Sequence, residues 1–349
     1  MTRLDAIQSG EARDRGAAAA RALASAAVPV YRAGLAAHQS LYRTGLKQAV
    51  RLPRPVISVG NLTTGGTGKT PMVAWLGRAL LAMDKRPAVL MRGYAAGRGD
   101  GRSDEARELA ARLGEHVPIL AHPDRATQAR RLLDREPGID VLLLDDGFQH
   151  YRLRRDLDLV LIDALNPWAH GLLPRGRLRE PRGALGRADA VIVTRSNLVD
   201  ADALATLDRE IATHHGKPPI AHATVSWSGL RRGGDTLDAG WLDGRRVTAV
   251  CGLGNPHAFY RMVEASGARL TGFESLPDHH APTAAEIEAL LETTRHGRAE
   301  ALLTTEKDYV KWIPRLPEDP QPPVIRPVLE TDFADGEAAL CEAIARTLA

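Results

Sequence analysis

From residue 55 onward, short unbroken aliphatic runs alternate with longer stretches of helical periodicity. The runs are Val56–Val59, Ala88–Met91, Val117–Leu120, Val141–Leu144, Leu159–Ile162 and Ala190–Val193. None shows the apolar/polar alternation of a half-exposed strand. Continuous aliphatic strands are those covered on both faces, as in parallel sheets. Alternating with helices, they predict an α/β fold with a doubly wound, mostly parallel sheet. A shorter series follows at Val247–Cys251, Leu270–Phe273, Ala301–Thr304 and Val324–Val328, and predicts a second, smaller α/β domain. Between the two, Ser226 to Gly244 is rich in glycine and carries two tryptophans, and reads as the junction. The expected organisation is a helical extension at 1–28, an amphipathic helix at 29–54, a larger domain at 55–225 and a smaller one at 226–349.

Before the first strand, Pro29 is suited to opening a helix that runs to about Val50. At 100° per residue, Tyr31, Leu35, Tyr42 and Leu46 gather on one side of it. Arg32, Arg43, Lys47 and Arg51 occupy a neighbouring arc. A basic amphipathic helix of this kind suits an anionic membrane surface. The same pattern also suits a helix packed on its own domain with a solvated basic edge.

Composition narrows the classes. A net charge of +3 over 349 residues, without aromatic and basic residues interleaved, gives no nucleic-acid footprint. Cys251 and Cys341 are far apart and form neither a disulfide framework nor metal spacing. No apolar run reaches the ~18 residues of a spanning helix, and the amino terminus lacks a secretory pattern. A cytoplasmic, monomeric protein is expected.

The most informative segment is Pro55-Val-Ile-Ser-Val-Gly-Asn-Leu-Thr-Thr-Gly-Gly-Thr-Gly-Lys-Thr-Pro71. It reads as strand, glycine-rich loop and helix, the phosphate cradle of a P-loop NTPase-like fold. Backbone N–H groups of Thr64, Gly65, Gly66, Thr67 and Gly68 would turn toward a polyphosphate, helped by the helix N-terminus. Lys69 would reach the β/γ-phosphates and the Thr70 hydroxyl would hold Mg²⁺. The common pattern has glycine where this chain has Thr63. Val141-Leu-Leu-Leu-Asp145-Asp146 is an aliphatic strand ending in acids, which places Asp145 or Asp146 beside the loop as a metal ligand.

Other polar residues have two readings each. Gln149, His150 and Arg179 fall near the carboxyl edge of the sheet, where doubly wound folds bind ligands; a solvated loop is the alternative. Asp104, with Glu105 beside it, suits a general base for an acceptor hydroxyl or a helix N-cap. Asp278-His279-His280 suits a histidine orienting an acid better than a zinc site, because adjacent side chains diverge.

Taken together, the ordered blocks resemble the tetraacyldisaccharide 4′-kinase (lipid A 4′-kinase) family. They are Val59 to Pro71, Arg92-Gly-Tyr94, Asp104-Glu105, Asp145-Asp-Gly-Phe-Gln-His150, Leu173-Pro-Arg-Gly-Arg-Leu-Arg-Glu-Pro181, Gly252-Leu-Gly-Asn-Pro256, Pro277-Asp-His279 and Thr305-Glu-Lys-Asp308. Thr63 and the proline after the loop belong to that pattern. The resemblance implies two α/β/α domains with substrate and nucleotide meeting between them. It implies transfer of the ATP γ-phosphate to the 4′-hydroxyl of a tetraacylated glucosamine disaccharide 1-phosphate lipid. It also implies catalytic roles for Lys69, Asp104 and His279, with His280 kept open, and Mg²⁺ held by Thr70, Asp146 and Asp145. Tyr94, Glu105, Arg125, Gln149, His150, Arg179 and Glu180 are implied at the lipid head group or the phosphates. The basic helix is implied to seat the enzyme on the cytoplasmic face of the inner membrane. Ser103-Asp-Glu-Ala106 and Arg92-Gly-Tyr-Ala95 depart from the family's usual glycines and proline. A regulatory P-loop switch is the rival class; Thr64 stands where MinD-like loops carry lysine, and no Asn-Lys-x-Asp motif occurs.

Overall fold

The computed structural model describes residues 14–93, 104–114, 116–253, 256–277 and 280–349, with the backbone alone at Arg15, Asp104 and Glu105. Tyr94, Asp278 and His279 lie outside the described residues. The described chain forms two compact units, residues 14–224 with 333–349, and residues 225–332.

In the first unit the aliphatic runs become β1 (Val56–Asn61), β2 (Pro87–Met91), β3 (Ile119–Ala121), β4 (Val141–Asp145), β5 (Leu157–Asp163) and β6 (Ala190–Thr194). With the start of β7 (Ala221–Arg232) they lie in the order β7-β6-β5-β1-β4-β2-β3, every neighbour parallel. β1, β2, β4, β5 and β6 are buried along their whole length, as unbroken apolar runs require. Successive side chains still part to opposite faces. Leu143 joins Ile57, Val59, Met72, Leu76 and Leu159 on one face, while Leu142 and Leu144 join Val56, Leu90, Ala129 and Leu133 on the other. Each Val, Leu, Ile or Met side chain among them contributes roughly 1.5–3 kcal/mol by leaving water. β1 is central, and its Val59 pairs with Asp145 of β4. That register sets the glycine loop beside the two acids.

Residues 333–349 return to this unit. The helix Glu337–Leu348 lays Leu340 and Ile344 on the same core, and Phe333 packs edge-on against Trp75 at 4.8 Å. The expected assignment of everything beyond 226 to the smaller domain therefore does not describe the tail.

The amino-terminal segment also differs from expectation. One helix, α1, runs Arg15–Arg43 with Pro29 inside it rather than at its start. Proline removes one helical hydrogen bond; the surrounding alanines, the strongest helix formers, carry the helix through. The stripe expected to meet a membrane instead faces the first unit. Tyr31 Oη donates to the Arg179 carbonyl at 2.8 Å, and the Tyr42 ring stacks on Tyr151 at 5.6 Å. Leu35 is half-buried, and Leu46 lies beyond the helix. Tyrosine explains the choice, because its hydroxyl finds a partner when the ring is covered. Leu23 (73 % exposed) and Val30 (74 %), seven residues apart, share an exposed face about a third of a turn away.

The second unit has the sheet order β10-β9-β11-β12-β7, with β8 antiparallel to β7. Its strands are β8 (Asp235–Leu237), β9 (Arg246–Cys251), β10 (Arg269–Ser275), β11 (Ala301–Thr304) and β12 (Val324–Asp335). β7 and β8 run through the stretch expected to be a junction. β7 alternates buried and half-buried positions at Ala221 to Thr224 and mixes half-buried, exposed and buried positions beyond, so it carries no aliphatic run. Cys251 is buried, and burial first, then the Asp308 carboxylate, pushes its thiol up to about 12.

His222 ties the returning tail to the first unit. Its Nε2 meets Asp208 at 3.0 Å and its Nδ1 meets Asp335 at 2.9 Å. Burial opposes the imidazolium, but bonds to the two carboxylates outweigh it and raise the pKa. Both ring nitrogens donate only in the protonated form. A raised histidine pKa means stability fully present below the unfolded value of about 6.5 and lost as pH rises through the folded value. Between pH 6 and 9, wild type should therefore lose more thermal stability than His222→Gln; parallel melting curves would contradict the clamp.

Candidate active site

The glycine loop leaves β1 and enters the helix Lys69–Ala82 through Gly68, whose φ of 85° lies in the left-handed region. No side chain caps this helix. Its first-turn N–H groups are thus left for a ligand, and an anion suits them. Gly60 is required for packing: a Cβ there would sit 2.4 Å from Cβ of Phe148.

Thr63 has a structural reason. It forms an antiparallel bridge with Leu178, while Thr64 N donates to Arg177 O at 2.8 Å and Arg179 N to Leu62 O at 2.7 Å. The stem of the loop is an edge paired to residues 177–179, where extended backbone suits threonine better than glycine. Further along, Thr194 Oγ1 donates to Thr67 O at 3.0 Å and Arg195 Nη2 to Gly66 O at 3.0 Å. Arg195 also pairs closely with Asp163. Loop carbonyls are thereby turned into the protein.

Lys69 Nζ donates to Asn61 Oδ1 at 3.0 Å and lies 3.5 Å from Asp146 Oδ1. Asp146 has a φ of 51°, a left-handed turn that aspartate tolerates. Arg179 Nη1 donates to both its carboxylate oxygens at 2.8 Å. Arg125 Nη1 donates to the Asp145 carbonyl at 2.8 Å. The two acids part company electrostatically. Burial is the largest influence on each. For Asp145 it prevails with help from the Asp146 charge and lifts the carboxyl to about 6. For Asp146, Lys69 and Arg179 outweigh burial and hold it below the usual range.

Asp145 Oδ1 is buried without a hydrogen-bond partner among the described residues. A hard cation satisfies such an oxygen, and Mg²⁺ characteristically takes one or two carboxylates with phosphates and water. Asp145, Asp146 and the Thr70 hydroxyl are thus a donor set that fits it.

The structure re-sorts the other expected residues. Gln149 spans the loop, donating to Asn61 O at 2.9 Å and accepting from Arg179 at 3.3 Å. His150 is kept neutral, with its pKa lowered to about 4 by burial and then by Arg125, Arg155 and Arg152. Its Nε2 is buried without a hydrogen-bond partner among the described residues. Glu180 corrects the expectation of a ligand contact. It is wholly buried, and its oxygens accept from Arg187 at 2.7 and 3.1 Å, Gln39 at 2.9 Å and Tyr151 at 3.0 Å. Arg187 also lies over Phe148 at 4.5 Å. Arg125, 5 % exposed, props the acid-bearing turn. The helix Asp104–Leu113 starts at the proposed base, with the Asp104 and Glu105 side chains outside the description.

Asn61 and Arg195 were not singled out from sequence. Asn61 is fully buried and joins Lys69 to Thr63, donating to Thr63 O at 3.0 Å. An amide closing an aliphatic strand just before a glycine loop is the signal that points to it.

Removing Glu180 should behave as loss of a buried partner rather than of a ligand contact. Glu180→Ala leaves Arg187 uncompensated and should lower the unfolding free energy by about 3–5 kcal/mol in urea titrations. A change within about 0.5 kcal/mol, as at an exposed site, would contradict this.

Comparison with known proteins agrees with this geometry. The family model described as LpxK, tetraacyldisaccharide-1-P 4′-kinase, matches residues 19–349. A tetraacyldisaccharide 4′-kinase of Syntrophus aciditrophicus is 39 % identical over 312 residues, covering 81 % of this chain and 82 % of that protein. One from Anaeromyxobacter dehalogenans is 41 % identical over 319 residues, covering 86 % and 83 %. Among solved structures, the "apo" form of LpxK from Aquifex aeolicus in complex with ATP is similar at a TM-score of 0.68 and 28 % identity, covering 93 % of this chain and 99 % of that one. With its loop, acids and arginine arranged as described, the chain belongs to the tetraacyldisaccharide 4′-kinase family.

Proposed function

We propose that the protein is an ATP-dependent kinase that transfers the γ-phosphate to the 4′-hydroxyl of a tetraacylated glucosamine disaccharide 1-phosphate, forming lipid IVA in lipid A biosynthesis. The observation that carries the reading is the Asp146 carboxylate held between Lys69 and Arg179 beside an uncapped glycine-loop helix. Phosphoryl transfer asks for charge neutralisation and in-line placement more than covalent chemistry. The loop amides and Lys69 orient the β- and γ-phosphates. Arg179 is near enough to share the charge that Asp146 and the phosphates present. Bound Mg²⁺, held by Thr70, Asp146 and Asp145, would neutralise charge on the phosphate oxygens. Asp104 accepts the proton of the attacking hydroxyl, and His279 orients that acid; both roles rest on motif position. Neutral His150 is suited to a hydrogen bond with a polar head group, with Tyr94 and Glu105 as further contacts from the sequence pattern.

The substrate is an amphiphile, so the enzyme works at a membrane surface. No helix among the described residues is long and apolar enough to cross a membrane. A peripheral position on the cytoplasmic face of the inner membrane fits this. Leu23 and Val30 supply exposed apolar side chains, and Arg32, Arg43, Lys47 and Arg51 supply exposed positive charge.

Incubation with γ-labelled ATP and the disaccharide 1-phosphate lipid in detergent should place label in the lipid. Lys69→Ala and Asp146→Ala should each lower kcat by about 100-fold or more, and Asp104→Ala and His279→Ala should also lower it. Folded, ATP-binding wild type that never labels the lipid would overturn the assignment. Separately, Leu23→Glu with Val30→Glu should release the protein from anionic vesicles in flotation, and undiminished binding would remove this face from the interface.

A further inference from the structure

The Arg179-Glu180 dipeptide has two sides. The Arg179 side chain reaches Asp146, while the backbone of Arg179 and the side chain of Glu180 are held by α1. Tyr31 Oη donates to Arg179 O at 2.8 Å. Gln39 Nε2 donates to Glu180 Oε2 at 2.9 Å and to Tyr151 Oη at 2.9 Å. Tyr151 in turn donates to the same Glu180 oxygen at 3.0 Å. His38, Tyr42 and Tyr151 close the contact with ring centroids 5.5–5.8 Å apart. Arg179 N is in turn bonded to Leu62 O at the root of the glycine loop at 2.7 Å. Arg179 is therefore located by its own backbone bonds to Tyr31 and Leu62 and, through Glu180, by Gln39 alongside Tyr151 and Arg187; Tyr31 and Gln39 both come from one helix outside the sheet.

From this juxtaposition we propose that Tyr31 and Gln39 of α1 are positioning residues for Arg179, which they hold in register with Asp146. Neither touches the phosphate loop; each acts through the dipeptide. The two bonds lie eight residues apart on α1, about 12 Å at 1.5 Å per residue. Two separated anchors fix the helix against rotation as well as translation. A displacement of the helix is thus passed to the guanidinium that pairs with Asp146. Reactions governed by placement are sensitive to shifts of about 1 Å. Simple anchoring of the fold, or seating on a membrane, predicts something different: lost stability or a weaker hold on the lipid, with chemistry unaltered.

The inference rests on the kinase reading for its turnover arm, and a binding arm stands apart from it. Tyr31→Phe keeps the ring and deletes one hydrogen bond; Gln39→Ala deletes the link to Glu180. A hydrogen bond worth ~0.5–1.5 kcal/mol corresponds to a loss of roughly 2–12-fold in kcat for each variant. The KM for lipid in mixed micelles should stay within about twofold, because placement rather than lipid capture is disturbed. In an Arg179→Ala background both substitutions should have no further effect, since the group they position is gone. The second arm measures ATP affinity without lipid across a Mg²⁺ series by calorimetry. Tyr31→Phe and Gln39→Ala should shift the Mg²⁺ dependence in the direction that Arg179→Ala shifts it. If wild type labels no lipid, the kinase reading fails and the binding arm alone decides. Losses that multiply with that of Arg179→Ala, effects confined to lipid KM, or a Mg²⁺ dependence unchanged from wild type would overturn the proposal.

Discussion

The organisation of the site hangs on one carboxylate. Asp146 stands at the end of β4 in a left-handed turn, and that turn directs its side chain to where the helix after the glycine loop presents Lys69. A second cation, Arg179, comes from a segment paired along the loop's stem. Strand, helix and paired segment each supply one charge, and the attraction holds only when all three are in register. Asp145 next to it is more deeply buried and, among the described residues, has no cation bonded to its side chain; burial, helped by the Asp146 charge, raises its affinity for a proton. The same low-dielectric surroundings keep one acid ionised and leave the other ready for a further positive charge.

Most of the fold was legible because the central strands are unbroken aliphatic runs. That pattern has few alternatives when it alternates with helical periodicity. What escaped was a strand without an aliphatic run. β7 alternates instead of running, and its Trp227 and Gly229, in a stretch rich in glycine, hid a strand behind the look of a junction. The partner of helix α1 stayed open for a related reason. A stripe of Tyr31, Leu35 and Tyr42 reports only that one face prefers to leave water. Whether it meets lipid or protein depends on partners such as Tyr151 and the Arg179 carbonyl, which lie more than a hundred residues away in the chain.

Site residues divide along the same line. Lys69 and the Asp145-Asp146 pair could be read locally, since loop, strand and helix fix their roles within a few residues. Glu180 and Gln149 could not. A charged or amide side chain in a loop looks like a ligand contact until its partners are known, and here those are Arg187, Gln39, Tyr151, Asn61 and Arg179. Thr63 shows the reverse case. Departure from the usual glycine looks like a defect in isolation, yet it marks the start of the pairing with Leu178 that brings Arg179 to the acid.

The returning tail bears on how the chain is made. Phe333, Leu340 and Ile344 belong to the core under the nucleotide loop, yet in chain order they follow the whole of residues 225–332. During synthesis the phosphate-binding half is assembled first and stays incomplete, with the surface around Trp75 uncovered, while the ribosome builds everything between. Domains that fold as they emerge escape aggregation by burying such surface early. Here that burial is completed only by the returning segment, so the apolar surface around Trp75 stays uncovered until residues 333–349 have been made.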